Sequence, residues 1–110
     1  MKKIFLALIC FFGLTLSVDA HTIEAKFVAR EEGERIGRIE LHSNGTCLIV
    51  NEETGERQTG TYNIERAPEP GDVCSIYFDL EVDGSYRGVF MWGLEDGQMI
   101  NFSNIIFKRN

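Results

Sequence analysis

Beyond His21, no stretch of this chain holds a 3.6-residue apolar rhythm for the length of a helix. Apolar and polar residues instead alternate with period two, between turn signals about every ten residues. That spacing commits the chain to an all-β fold. The clearest strand runs from Val73 to Val82, where Cys74, Ile76, Phe78, Leu80 and Val82 alternate with Ser75, Tyr77, Asp79 and Glu81. The even positions are expected to face the core. Ser85 to Gly93 continues the pattern with Tyr86, Gly88, Phe90 and Trp92 after the turn signal Asp83-Gly84. A three-residue loop of Asp83, Gly84 and Ser85 brings the two apolar faces together. It sets Glu81 opposite Arg87, Phe78 opposite Phe90, and Ile76 opposite Trp92.

The rest of the chain reads the same way. Ile23, Ala25 and Phe27 alternate with Glu24 and Lys26, and a charged turn at Glu31-Glu32-Gly33-Glu34 leads to Ile39 and Leu41. Asn44-Gly45 turns the chain into Thr46 to Asn51, and Thr54-Gly55 turns it into a strand carrying Gly60, Tyr62 and Ile64. Arg66 to Asp72, with Pro68, Pro70 and Gly71, is excluded from a central strand and is the longest loop. After Glu95-Asp96-Gly97, the run Met99 to Phe107 makes one or two closing strands. The expectation is a small antiparallel up-and-down meander of seven or eight strands, closed or nearly closed into a barrel that removes exposed edges. A two-sheet β-sandwich is the alternative.

The first twenty residues have another purpose. Lys2 and Lys3 precede an apolar run from Ile4 to Leu16, then Ser17-Val18-Asp19-Ala20, which is the layout of a secretory signal peptide with cleavage before His21. The run is shorter than the ~20 residues of a membrane-spanning helix. Cys10 follows Ile9 where a lipidation signal wants a small residue. Residues 21–110 are thus expected to form a single exported domain, periplasmic or secreted. Removing Lys2, Lys3 and Asp19 from 11 Lys plus Arg and 17 Asp plus Glu leaves 9 against 16, a formal charge of −7. Such a balance disfavours nucleic acid and anionic membrane surfaces.

Two cysteines remain, Cys47 and Cys74. In a small exported domain the expectation is a disulfide, worth roughly 3.5 kcal/mol for a loop of this length. In a flat meander they stand on second-neighbour strands ~9.6 Å apart, so the bond needs curvature or the Arg66–Asp72 loop folding back. The Asn44-Gly45 hairpin bears on this. A two-residue loop pairs Leu41 with Leu48 and turns Cys47 outward. A three-residue loop of Ser43, Asn44 and Gly45, with glycine left-handed, pairs Leu41 with Cys47 and Ile39 with Ile49, and turns Cys47 inward. The second register is favoured because Cys74 shares its face with Ile76 and Phe78, which places the expected disulfide inside.

Ser43-Asn44-Gly45-Thr46, then Gly60-Thr61-Tyr62-Asn63-Ile64 and Ile76-Tyr77-Phe78-Asp79-Leu80, resemble the small bacterial lipocalin-like (calycin) domains, over roughly Gly37 to Phe107. The resemblance implies a β-barrel and brings no catalytic set.

Neither histidine stands in a hydrolase motif, and no carboxylate pair is singled out, so no catalytic residue and no enzymatic activity are expected. A copper site using the amino terminus and ring of His21, with His42 as a third nitrogen, is a minor alternative. The acidic runs Glu31–Glu34 and Glu52–Glu56 lack the spacing of a calcium loop and read as solvated turns. No cofactor is expected. Two binding modes follow. A protein partner would meet the outward residues Tyr77, Val89 and Met91, neighbours in the register above. A small apolar ligand would sit in the interior among Tyr62, Phe78, Phe90 and Trp92. The protein-binding mode is preferred.

Overall fold

The structure, a computed structural model, describes residues 21–67, 69–93 and 97–110. The signal-peptide reading of residues 1–20 lies outside them, as do Pro68 and the Glu95-Asp96 part of the last expected turn. Eight strands follow one another: β1 (Ala25–Glu31), β2 (Glu34–Leu41), β3 (Thr46–Asn51), β4 (Arg57–Ile64), β5 (Val73–Leu80), β6 (Gly84–Gly93), β7 (Gly97–Phe102) and β8 (Ile105–Arg109). Each pairs antiparallel with its neighbour in sequence, and β8 returns to β1, closing the barrel. The fold is all-β, an up-and-down barrel, and the sandwich alternative falls away.

Alternation puts one face of each strand inside. Phe27, Ile39, Leu41, Ile64, Ile76, Phe90 and Ile100 are fully buried there. The rings pack edge to face, Phe27 against Phe90 at 6.3 Å and Phe78 against Phe102 at 5.3 Å. This geometry suits the ring quadrupoles. One barrel end is covered by residues 21–24, which cross to β4: the Ile64 amide donates to the His21 carbonyl at 3.0 Å. The Tyr62 hydroxyl fixes the crossing. It accepts from the Ile23 amide at 2.8 Å and lies 2.9 Å from the carbonyls of Ile23 and His42. A buried hydroxyl with these partners is satisfied, so the polar end of Tyr62 costs little to bury.

The β2–β3 hairpin takes the bulged register. Leu41 stands opposite Cys47, Ile39 opposite Ile49, and Gly45 has φ of 91°. The Asn44 side chain accepts from the Thr46 amide and hydroxyl at 3.0 and 2.7 Å, so this asparagine shapes the turn.

The β5–β6 hairpin differs from expectation. Its three-residue loop is Glu81, Val82 and Asp83, with Leu80 opposite Gly84, so every partner moves by four positions. Phe78 faces Tyr86, Ile76 faces Gly88, Cys74 faces Phe90, and Tyr77 rather than Glu81 faces Arg87. Val82 leaves the core and is 78% exposed. Two causes act together. Setting Gly88 opposite Ile76 leaves room for bulk: a Cβ there would lie 3.3 Å from the Ile76 methyl and 2.9 Å from the Asn101 carbonyl. The loop is also tied to β4, where the Thr59 hydroxyl donates to Glu81 at 2.6 Å and the Gln58 amide to Asp83 at 2.9 Å. Because the shift is even, inside and outside are unchanged.

The expected disulfide is corrected. Cys47 and Cys74 both point inward and are buried, and both are free thiols. Cys47 stands beside Gly60, and Gly60 beside Leu80, so the level of Cys47 meets β5 at Leu80. Cys74 lies six residues further along β5, or about 20 Å at ~3.3 Å per residue. No curvature of the sheet brings that within a Cα separation of ~5.5 Å. Burial pushes the Cys47 thiol up to about 11 and raises that of Cys74 as well, leaving both poor nucleophiles at neutral pH. Protein unfolded in denaturant without reductant is therefore expected to titrate two thiols from these positions. A count of zero would restore the bond.

Candidate functional site

The residues expected to meet a partner lie on the outer face of β5–β8. In the observed register Tyr77 stands beside Arg87, Val89 between Ser75 and Asn101, and Met91 between Val73 and Met99. Tyr77 and Val89 remain diagonal neighbours, while Met91 moves from beside Tyr77 to beside Val73. The row continues onto β8, where Ile106 pairs with Asn101 and Lys108 with Met99. Val73 is 55% exposed, Tyr77 45%, Ile106 41% and Val89 38%, whereas Met91 is half-buried. Alternation of Val73 with Cys74 places Val73 on the Tyr77 side and could have added it to the set; Met99 and Ile106 needed the β6–β7 and β7–β8 registers. A shallow groove of ≈ 420 Å³ runs over β4, β5 and β6 beside Tyr77 and Arg87, with Asp79 and Thr61 on its other flank.

The interior set is placed differently. Tyr62, Phe78 and Phe90 are buried within the packed core, and Trp92 is half-buried near one end. Gly71 and Asp72 lie along that end of β6, with the Trp92 amide donating to Asp72 at 3.0 Å and the Gly71 amide to Trp92 at 2.6 Å. Phe102 ties the rings of Phe78, Tyr86 and Phe107 together, at 5.3, 4.3 and 6.4 Å. These rings occupy the space that an interior ligand would take.

The His21 amide donates to the Asn63 side chain at 2.9 Å. His42 Nδ1 lies 3.3 Å from Glu24, whose carboxylate also accepts from the Ser43 amide at 2.8 Å. The Ser43 bond, then His42, holds the Glu24 carboxyl below its usual range. Among the described residues, no three of His, Cys, Asp and Glu converge as a metal site. Nor is any helix of the described residues long and apolar enough to cross a membrane. The acidic β3–β4 turn is organised by Asn51, whose side chain accepts from the Glu53 and Thr54 amides at 3.0 and 3.2 Å, while Glu52 turns back to Arg35 and Arg38.

Compared with models of protein families, with curated proteins and with solved structures, the chain matches none of them.

Proposed function

We propose that the barrel is an exported binding module, lipocalin-like in plan, that engages a protein partner through the outer face of β5–β8. The observation that carries this reading is a division of apolar residues. The interior is filled by the chain's own side chains, while Val73, Tyr77, Val89 and Ile106 stand exposed on one outer face, with Ser75 and Asn101 among them. Contiguous apolar surface rimmed by polar groups is where protein partners dock, with tyrosine a favoured anchor. A carrier would need the opposite arrangement, with an apolar hollow inside and a polar exterior.

The test is crosslinking from a photoreactive residue at Val89 in the native envelope or medium. One defined protein adduct is expected, lost in Tyr77→Glu and Val73→Glu variants whose thermal midpoints stay near that of the parent. Stoichiometric uptake of a fatty acid or apolar dye, with amide shifts at Phe78 and Phe90, would replace this reading with the carrier.

A further inference from the structure

Nine Lys and Arg lie beyond residue 20, the 11 of the chain less Lys2 and Lys3. Six of these stand on three adjacent strands: Lys26 and Arg30 on β1, Arg35 and Arg38 on β2, Lys108 and Arg109 on β8. Arg35 and Arg38 are taken by Glu52, and Arg38 also by Glu40 at 3.0 Å. Among the described residues, Lys26, Arg30, Lys108 and Arg109 make no ion pair. Arg30 donates to the Gly33 carbonyl at 3.3 Å, and Arg109 to Gln98 at 3.0 Å. In a chain so rich in carboxylates, these four cations gather on adjacent strands without an ion-pair partner among the described residues, with Glu40 opposite Lys26 in the ladder.

The same place is where the barrel is least completely sewn. The β1–β8 ladder has two residue pairs, Phe27 with Arg109 and Val28 with Lys108, whereas every other ladder has four or more. The β1–β2 register shifts between Ala29 and Arg30, with Ile36 as the extra residue on β2, close to where pairing of β1 with β8 stops. Arg30 and Glu31, paired on their other side with Arg35 and Glu34, and Ile105 and Ile106, paired on their other side with Phe102 and Asn101, do not pair with each other across the seam. An open groove of ≈ 380 Å³ lies here, lined by Val28, Arg30, Ile106, Lys108, Arg109 and Asn110. Ile105 and Ile106 are both exposed.

Unladdered strand edges accept an added strand, apolar side chains seat its alternate residues, and uncompensated cations select its charge. We infer that an extended acidic segment of the protein partner docks along the β1–β8 seam, its carboxylates meeting Arg30, Lys108 and Lys26. Ile106 belongs both to this seam and to the apolar row of β5–β8, so the two surfaces are continuous. The inference rests on the binding-module reading.

The probe is an acetylated peptide of about twelve residues alternating glutamate and valine, long enough to span the seam at ~3.3 Å per residue. Its counterpart alternates lysine and valine. Added to ¹⁵N-labelled protein of residues 21–110, the acidic peptide is expected to give saturable shifts at Val28–Glu31 and Ile105–Lys108. Binding should weaken as salt rises from ~50 to ~300 mM, and the basic peptide should leave these amides in place. The pair Arg30→Glu and Lys108→Glu should weaken binding at least about tenfold, while Arg57→Glu on β4 leaves it unchanged. If charge reversal lowers the thermal midpoint, Arg30→Gln with Lys108→Gln takes its place.

Equal binding of both peptides, or shifts confined to other strands, would overturn the inference. So would binding to phosphatidylglycerol vesicles in place of the peptide. Concentration-dependent shifts of the seam amides in protein alone would reassign the seam to a second copy's acidic turns. Should Val73→Glu abolish the Val89 adduct while the Arg30 and Lys108 variants leave it intact, the seam inference fails and the binding module stands.

Discussion

An alanine at Gly60 is expected to destroy cooperative folding, or to lower stability by about 3 kcal/mol or more. Gly60 sits mid-strand between Cys47 on β3 and Leu80 on β5. A Cβ there would land on the Asp79 carbonyl oxygen, 2.9 Å from the Leu80 Cα and 3.0 Å from the Asp79 carbonyl carbon. All three are main-chain atoms, so no side chain can swing aside; β4 and β5 would have to separate. The measurement is urea unfolding followed by circular dichroism, with Gly33→Ala as the control. Gly33 has open space around its α-carbon and only its φ of 84° to lose, a penalty of about 1 kcal/mol. A Gly60→Ala midpoint at or above the control's would contradict this close approach.

Phe90→Ala is expected to cost about 3–5 kcal/mol. The ring is fully buried, set between Cys74 and Ile100 on the flanking strands and edge-on to Phe27. A filled barrel cannot collapse onto the missing ring without drawing in a whole strand, so much of the void stays open. Val82→Ala, by contrast, should change stability by less than about 0.5 kcal/mol, because its side chain is in solvent. Denaturant midpoints for both variants decide the point. A large loss at Val82 would return it to the core face that simple alternation assigns.

Val82 also marks where alternation stops being informative. Period two assigns faces, and a register error of four positions leaves those faces intact, so Cys74 to Leu80 and Tyr86 to Trp92 are correctly sided from the residues alone. It says nothing about which residue ends a strand. That was decided by Gly88 making room for Ile76 and by Thr59 and Gln58 holding the loop, neither of which is local. At Asn44-Gly45 the expected register is the observed one, although the reason for favouring it, an inward disulfide, fails; the left-handed Gly45 and the Asn44 bonds to Thr46 accompany that register instead. The Ser103-Asn104 turn carries no glycine, yet both residues take positive φ, 54° and 64°, so the β7–β8 boundary had no strong signal.

Tyr77, Val89 and Met91 were readable as outward but not as a set. Their neighbours depended on the loop. The cysteine pair failed for a related reason: composition suggests a bond, while only the three-strand register gives the distance. The basic seam was hidden more completely. Lys26 to Arg38 and Lys108 to Arg109 lie at opposite ends of the chain, and only closure of the barrel makes them one surface.

That closure has a kinetic meaning. Seven of the eight ladders join strands consecutive in sequence, each closing a short loop at small entropic cost. The eighth joins the two ends of the folded chain through two residue pairs, so it carries the greatest loop-closure cost and the fewest bonds to offset it. The meander can assemble strand by strand while β1 and β8 are still apart, and their meeting is the natural last step. Run backwards, the same asymmetry makes the amides directed across this seam, those of Val28, Lys108 and Asn110, the first of the ladder amides to exchange their protons, in an opening far smaller than global unfolding.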